Sequence, residues 1–118
     1  MLSQILIVII ALLHIYFLVL EMFLWQKPAG LKAFGNTPEK AALTKVLAQN
    51  QGLYNGFLAA GLIWSLLVSM PFSFMLANFF LICVLIAGIY GSVTASRKIL
   101  YIQALPALAA LILLNLGI

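Results

Sequence analysis

Four long apolar runs, at about residues 2–24, 50–69, 72–95 and 99–117, fill most of this 118-residue chain and decide what it can fold into. At about 1.5 Å of rise per residue, helices of this length cross a hydrocarbon layer of roughly 30 Å. Unpaired backbone amides are prohibitively costly in lipid, and no run shows the period-two alternation of a membrane strand, so each is expected to be helical. With 66% hydrophobic and only 7% charged residues, the chain lies far from the balance of a soluble domain. The expected fold is all-α: an integral membrane four-helix bundle forming one domain, with the lipid bilayer as its first partner. Residues 2–24 lack a basic start and a clear cleavage site and carry Glu21, so they are read as a retained span and not as a removed signal.

Basic residues set the orientation. Lys27, Lys32, Lys40 and Lys45 lie in or just beyond the first connection, offset there by Glu39, and Arg97 and Lys98 mark the third. The second connection, SMPFS, and the segments at both ends carry no charged side chain. The positive-inside rule then puts the termini outside and the long first connection in the cytosol, in a multi-pass protein of the cytoplasmic membrane. The formal net charge of +4 is explained by this topology, so no nucleic-acid partner is expected. Within the first connection, Thr37-Pro38-Glu39 reads as a helix start: an N-cap, a proline at the first helical position and an acid at the positive end of the dipole. Helix two is therefore expected to extend into the cytosol from about residue 38. If unbroken to residue 69 it would be roughly 48 Å long, which leaves its first turns in water. The preceding stretch PAGLKAFG has too few residues and too many breakers for a span.

That geometry puts AQNQGLYN, residues 48–55, at the water–lipid boundary. His14 and Glu21 lie seven apart on helix one, Gln51 and Asn55 four apart on helix two, Tyr90, Thr94 and Arg97 at i, i+4 and i+7 on helix three, and Gln103 about one turn into helix four. Polar groups in hydrocarbon are disfavoured by several kcal/mol unless paired or hydrated. Four helices with polar stripes at a similar depth therefore point to a shared polar pocket facing the cytosol. The candidate ligand-binding residues are His14, Glu21, Gln51, Asn55, Tyr90, Arg97, Tyr101 and Gln103. The competing reading makes Glu21 an ion-pair partner of Arg97 or Lys98 and the amides interhelical glue. Gly52, Gly56 and Ala60, and Gly88, Ser92 and Ser96, have the small-xxx-small spacing of close helix packing. Pro106 is expected to kink helix four near its start.

Catalytic signatures are sparse. One His and one Cys leave no metal cluster, and no phosphate loop, dinucleotide fingerprint or nucleophile elbow is present. His14 and Glu21 are about 10 Å apart in rise, too far for direct proton transfer. The sequence leaves open whether the protein is an enzyme.

The segments EMFLWQKPAGLKAFG, KVLAQNQGLYNGFLAAGLIW and AGIYGSVTASRKILYIQALPALAALILL resemble the small bacterial membrane proteins grouped as domain of unknown function 1304. That resemblance covers nearly the whole chain and implies a four-helix integral protein of the bacterial inner membrane. A more distant likeness is to the membrane-associated proteins in eicosanoid and glutathione metabolism, trimers of four-helix protomers with a cytosol-facing glutathione site between protomers. Their second helix carries Arg-x-x-x-Asn-x-x-Glu before an apolar run. Aligning on Phe57-Leu58-Ala59 puts Lys45, Gln49 and Gly52 at those positions, so lysine stands for the bidentate arginine and glycine replaces the carboxylate. Their Arg-x-x-Tyr element is matched loosely by Lys98 to Tyr101. This likeness implies a homo-oligomer, a trimer before other symmetries, and glutathione or another low-molecular-weight thiol as the bound small molecule. Small multidrug transporters share the length, the four helices and an acid in helix one, but their carboxylate lies mid-membrane and their charge bias is weak. Three readings stand: a ligand-binding protein, which the distant likeness extends to a thiol-conjugating or related enzyme, a proton-coupled transporter, or a structural membrane protein.

Overall fold

A computed structural model describes residues 1–118, and the chain is all-helical: α1 (Leu2–Met22), α2 (Pro28–Phe34), α3 (Pro38–Leu67), α4 (Phe72–Thr94), a π-helical turn (Leu100–Ala104) and α5 (Leu105–Asn115). The four expected helices thus become five, because the first connection folds a helix of its own. Pro28 supplies the fixed φ of a first turn, Gly35 ends the helix in the left-handed conformation at φ 63°, and its N–H caps the Leu31 carbonyl. The last apolar run is also not one regular helix. Pro106 has no N–H to donate four residues back, and its ring would press on the carbonyl there. The turn before it widens instead, so that the Leu105 N–H donates to the Leu100 carbonyl.

The start of α3 follows the local chemistry of Thr37-Pro38. The Thr37 Oγ1 accepts the Lys40 N–H at 3.2 Å, and the Thr37 carbonyl accepts the Ala41 N–H at 3.0 Å. α1 and α4 are long and apolar enough to cross a membrane, whereas the apolar stretch Leu100–Asn115 is shorter. In α3 the amides of AQNQGLYN interrupt the apolar pattern, and the uniformly apolar part follows them.

Two compact units divide the chain: Met1–Leu12 with Leu58–Ile118, and Leu13–Phe57. The first has a hydrophobic core drawn from four helices, with Ile7, Ile10 and Ala11 of α1, Leu62 of α3, Ala77, Leu81 and Val84 of α4, and Ala107 and Ala110 of α5. Close approach is built from small residues. A Cβ on Gly88 would stand 2.6 Å from the Ala104 nitrogen and 2.9 Å from its Cα, so only glycine lets α4 meet the π turn there. Near the other end of α4, the Asn115 side-chain amide donates to Asn78 Oδ1 at 2.8 Å, and the Leu2 N–H donates to the Ile118 carbonyl at 3.0 Å.

The second unit comprises the end of α1, α2 and the first two-thirds of α3. Its buried α3 face carries Ala41, Ala48, Gly52 and Asn55, spacings of seven, four and three residues that keep one helical face. α2 docks through Gly30, where any Cβ would collide with the Leu24 carbonyl oxygen. The Trp25 ring packs on Phe34 with centroids 4.9 Å apart, and its Nε1–H donates to Thr44 Oγ1 at 3.2 Å.

Outward-facing surfaces are apolar in a regular pattern. On α4, Met75, Phe79, Ile82, Ile86, Ile89 and Val93 are exposed, and on α1, Ile5, Ile9, Leu12, Tyr16 and Val19 are exposed, with Phe23 continuing the series just past its end. Both series alternate steps of four and three residues and so form a continuous seam along the helix. Monomers in water rarely expose contiguous apolar patches above a few hundred Å².

Candidate polar cleft at the end of helix α1

Glu21 lies one residue before the end of α1, on the side that meets α3. The two helices close on glycines. Gly52 faces Leu18, Glu21 and Met22, where a Cβ would come within 3.1 Å of the Glu21 Cβ and 3.3 Å of the Leu18 carbonyl oxygen, and Gly56 faces the Leu18 side chain. With the backbones this close, the Asn55 side-chain amide reaches the Glu21 carboxyl and donates to its Oε1 at 2.5 Å. Both side chains are buried, Glu21 at 7% and Asn55 at 6% exposure. A carboxyl so removed from water needs such a donor, since an unpaired buried polar group costs about 1–3 kcal/mol.

Beside this pair opens a cleft of about 450 Å³, lined by Glu21, Met22, Phe23, Trp25, Gln26, Lys27, Lys45 and Gln49. Its walls come from the end of α1, the link to α2 and the first turns of α3. Lys45 and Gln49 are four apart on α3 and so share a face; Lys27 sits at the N-cap of α2. Both lysines are exposed. The cleft therefore brings a buried carboxyl, two ammonium groups and two amides to one apolar-edged recess. A second cleft, of about 380 Å³, is lined only by apolar side chains, Trp64, Val68, Phe72, Met75 and Leu76.

The residues singled out from the sequence are distributed as follows. Glu21 and Asn55 are joined directly. His14 is fully buried in the same unit, with its ring edge against Phe17 at 5.6 Å. Gln51 is exposed: it precedes Gly52 on α3 and so points about 100° away from the face that closes on α1. Tyr90, Arg97, Tyr101 and Gln103 belong to the other unit, where the first three are exposed and Gln103 lies half-buried in the π turn. Trp25, Lys27, Lys45 and Gln49 line the cleft without having been counted among the candidate residues. The available signal was the alignment of Lys45 and Gln49 with the polar motif of helix two in the distant relatives. Three or more His, Cys, Asp or Glu side chains nowhere come together to hold a metal ion.

The chain matches the family of proteins of unknown function DUF1304 over residues 8–115, and it belongs to that family. It is 32% identical over 113 residues to the uncharacterized protein YpaA of Lactococcus lactis subsp. lactis (strain IL1403), with 94% of each chain covered. No solved structure matches it.

Proposed function

We propose that this DUF1304 protein is a multi-pass protein of the cytoplasmic membrane that holds a small polar or amphipathic molecule in the cleft beside Glu21. The observation that carries the reading is a recess lined by a carboxyl, two lysines and two amides at the very end of an apolar, span-length helix. The exposed apolar seams of α1 and α4 support the bilayer, which removes the cost of showing them to water. Four crossings are formed by α1, the apolar part of α3, α4 and the stretch from the π turn through α5. The meeting of Leu2 with Ile118 at opposite chain ends agrees with an even number of crossings.

With four lysines around α2 and the start of α3, and Arg97 with Lys98 after α4, the positive-inside rule turns the cleft to the cytosol. A parallel homo-oligomer is part of the reading, and the distant likeness to the glutathione-metabolism proteins favours a trimer. Lys45 and Gln49, which take the places of that family's arginine and asparagine, both line the cleft. That agreement supports a low-molecular-weight thiol or a molecule of similar polarity as ligand.

The test has two arms. On a Cys83→Ala background, a membrane-impermeant thiol reagent is expected to label Leu2→Cys from outside intact cells and Phe34→Cys only after permeabilisation. Native mass spectrometry from mild detergent is expected to show a trimer carrying a small molecule. Labelling of position 34 in intact cells, together with a dimer, would replace this reading by the transporter. An intact oligomer that carries no molecule and gives no thermal shift with glutathione or simple amphiphiles would leave the structural role.

A further inference from the structure

The carboxyl and the two lysines that line the cleft restrict its occupant, given the proposal above that it is a ligand site. A ligand of purely negative charge would meet the Glu21 carboxyl, and one of purely positive charge would meet Lys27 and Lys45. A molecule bearing both signs satisfies all three. Neither lysine is held by an ion pair within the protein, so both ammonium groups are available to an incoming anion. Two ammonium point charges suit the several oxygens of a phosphate.

The cationic end is narrower in its demands. One oxygen of Glu21 already accepts from Asn55, and the residue is only 7% exposed. A cation that reaches it must be compact and able to donate a hydrogen bond, as a primary ammonium can and a trimethylated one cannot. Met22 and Phe23 border the same recess, and Phe23, 67% exposed, continues the apolar seam of α1 up to the cleft mouth. An occupant with acyl chains would find an apolar path from the cleft into the bilayer.

We infer that the cleft binds the headgroup of an aminophospholipid, with its primary ammonium on Glu21, its phosphodiester between Lys27 and Lys45, and its acyl chains leaving past Phe23. A free zwitterion such as glycerophosphoethanolamine shares the headgroup chemistry without the chains, and the experiment separates the two sources.

Trp25 lines the cleft, and the chain has one other tryptophan. In the full-length Trp64→Phe protein, fluorescence therefore reports on the cleft alone. It is titrated in mild detergent with lysophosphatidylethanolamine, lysophosphatidylcholine and lysophosphatidylglycerol of equal chain length, and with free glycerophosphoethanolamine. The expected result is a saturable change with the ethanolamine lipid at about 10- to 100-fold lower concentration than with the choline lipid, the loss of one charge-assisted hydrogen bond. Glu21→Gln, which keeps an acceptor for Asn55, is expected to bring the two lipids to near equality. Lys45→Met, at an exposed site, should weaken all three lysolipids together.

Equal or tighter binding of the choline or glycerol lipid overturns the inference while the ligand site stands. Glycerophosphoethanolamine binding as tightly as its lysolipid overturns the lipid source. A flat response to all four probes overturns the inference, and the ligand site falls with it only if glutathione also gives no response in protein shown by native mass spectrometry to be intact and empty.

Discussion

Replacing Asn55 by leucine isolates the hydrogen bond between two buried side chains of α1 and α3. Leucine keeps the branched outline and heavy-atom count of asparagine with somewhat greater bulk, and what is lost is the donor to Glu21 Oε1. Orphaning a buried acceptor costs about 1–3 kcal/mol, whereas interhelical polar contacts measured within bilayers average only about 0.6 kcal/mol, because separated helices find other partners. Here the upper range applies. Gly52 lets α3 press on the Glu21 Cβ itself, so the side chain cannot swing out of the crossing, and its 7% exposure leaves water in the cleft little room to replace the Asn55 donor.

We expect Asn55→Leu to destabilise the protein by about 1–2 kcal/mol. The single change Glu21→Leu should cost a similar amount by stranding the Asn55 amide. The double change leaves neither group stranded, and is expected to cost no more than either single change, a coupling of about 1 kcal/mol or more. Reversible unfolding of the four ligand-free proteins in mixed micelles, followed by tryptophan fluorescence, completes the cycle. If the double variant loses the sum of the two single losses, the Glu21–Asn55 bond is not what secures this crossing, and the reasoning fails.

Gly88→Val forces a side chain against the backbone of Ala104, which cannot yield as a flexible side chain would; a loss of about 1–3 kcal/mol is expected, and a melting temperature in detergent equal to wild type would contradict the close approach of α4 to the π turn. Trp25→Phe preserves an aromatic ring beside Phe34 but removes the hydrogen bond to Thr44. Amide exchange over residues 28–34 should accelerate about 2- to 12-fold, from a loss of about 0.5–1.5 kcal/mol, with α3 unchanged; equal acceleration throughout the second unit would mean that Trp25 holds more than α2.

What could be read from the sequence was local. Thr37, Pro38 and Glu39 carry a helix start in their own side chains, and Thr37 does cap Lys40. The helix of PAGLKAF was not legible, because seven residues are too few for periodicity and their order comes from docking Gly30 on Leu24 and Phe34 on Trp25. Gln51 and Asn55 are four apart, which suggests one face, yet the tight helix crossing runs along Gly52 and Gly56 and takes Asn55 without Gln51. Local spacing puts Lys45 beside Gln49. That Glu21 joins them depends on the axial register of α1 against α3, a long-range quantity set where glycines meet a helix backbone.

The widened turn at Leu100–Ala104 changes how the end of this chain must be compared with its relatives. One extra residue in a helical turn shifts the angular phase of everything beyond it by about 100° relative to an unbroken α-helix. A helical wheel drawn straight through residues 99–117 would therefore misplace Tyr101 and Gln103 against the buried Ala107 and Ala110. A relative with one residue fewer before its proline could keep Ala107 and Ala110 in the core while forming an ordinary helix. In an alignment, such a single-residue gap would mark a conserved architecture and not a divergent one.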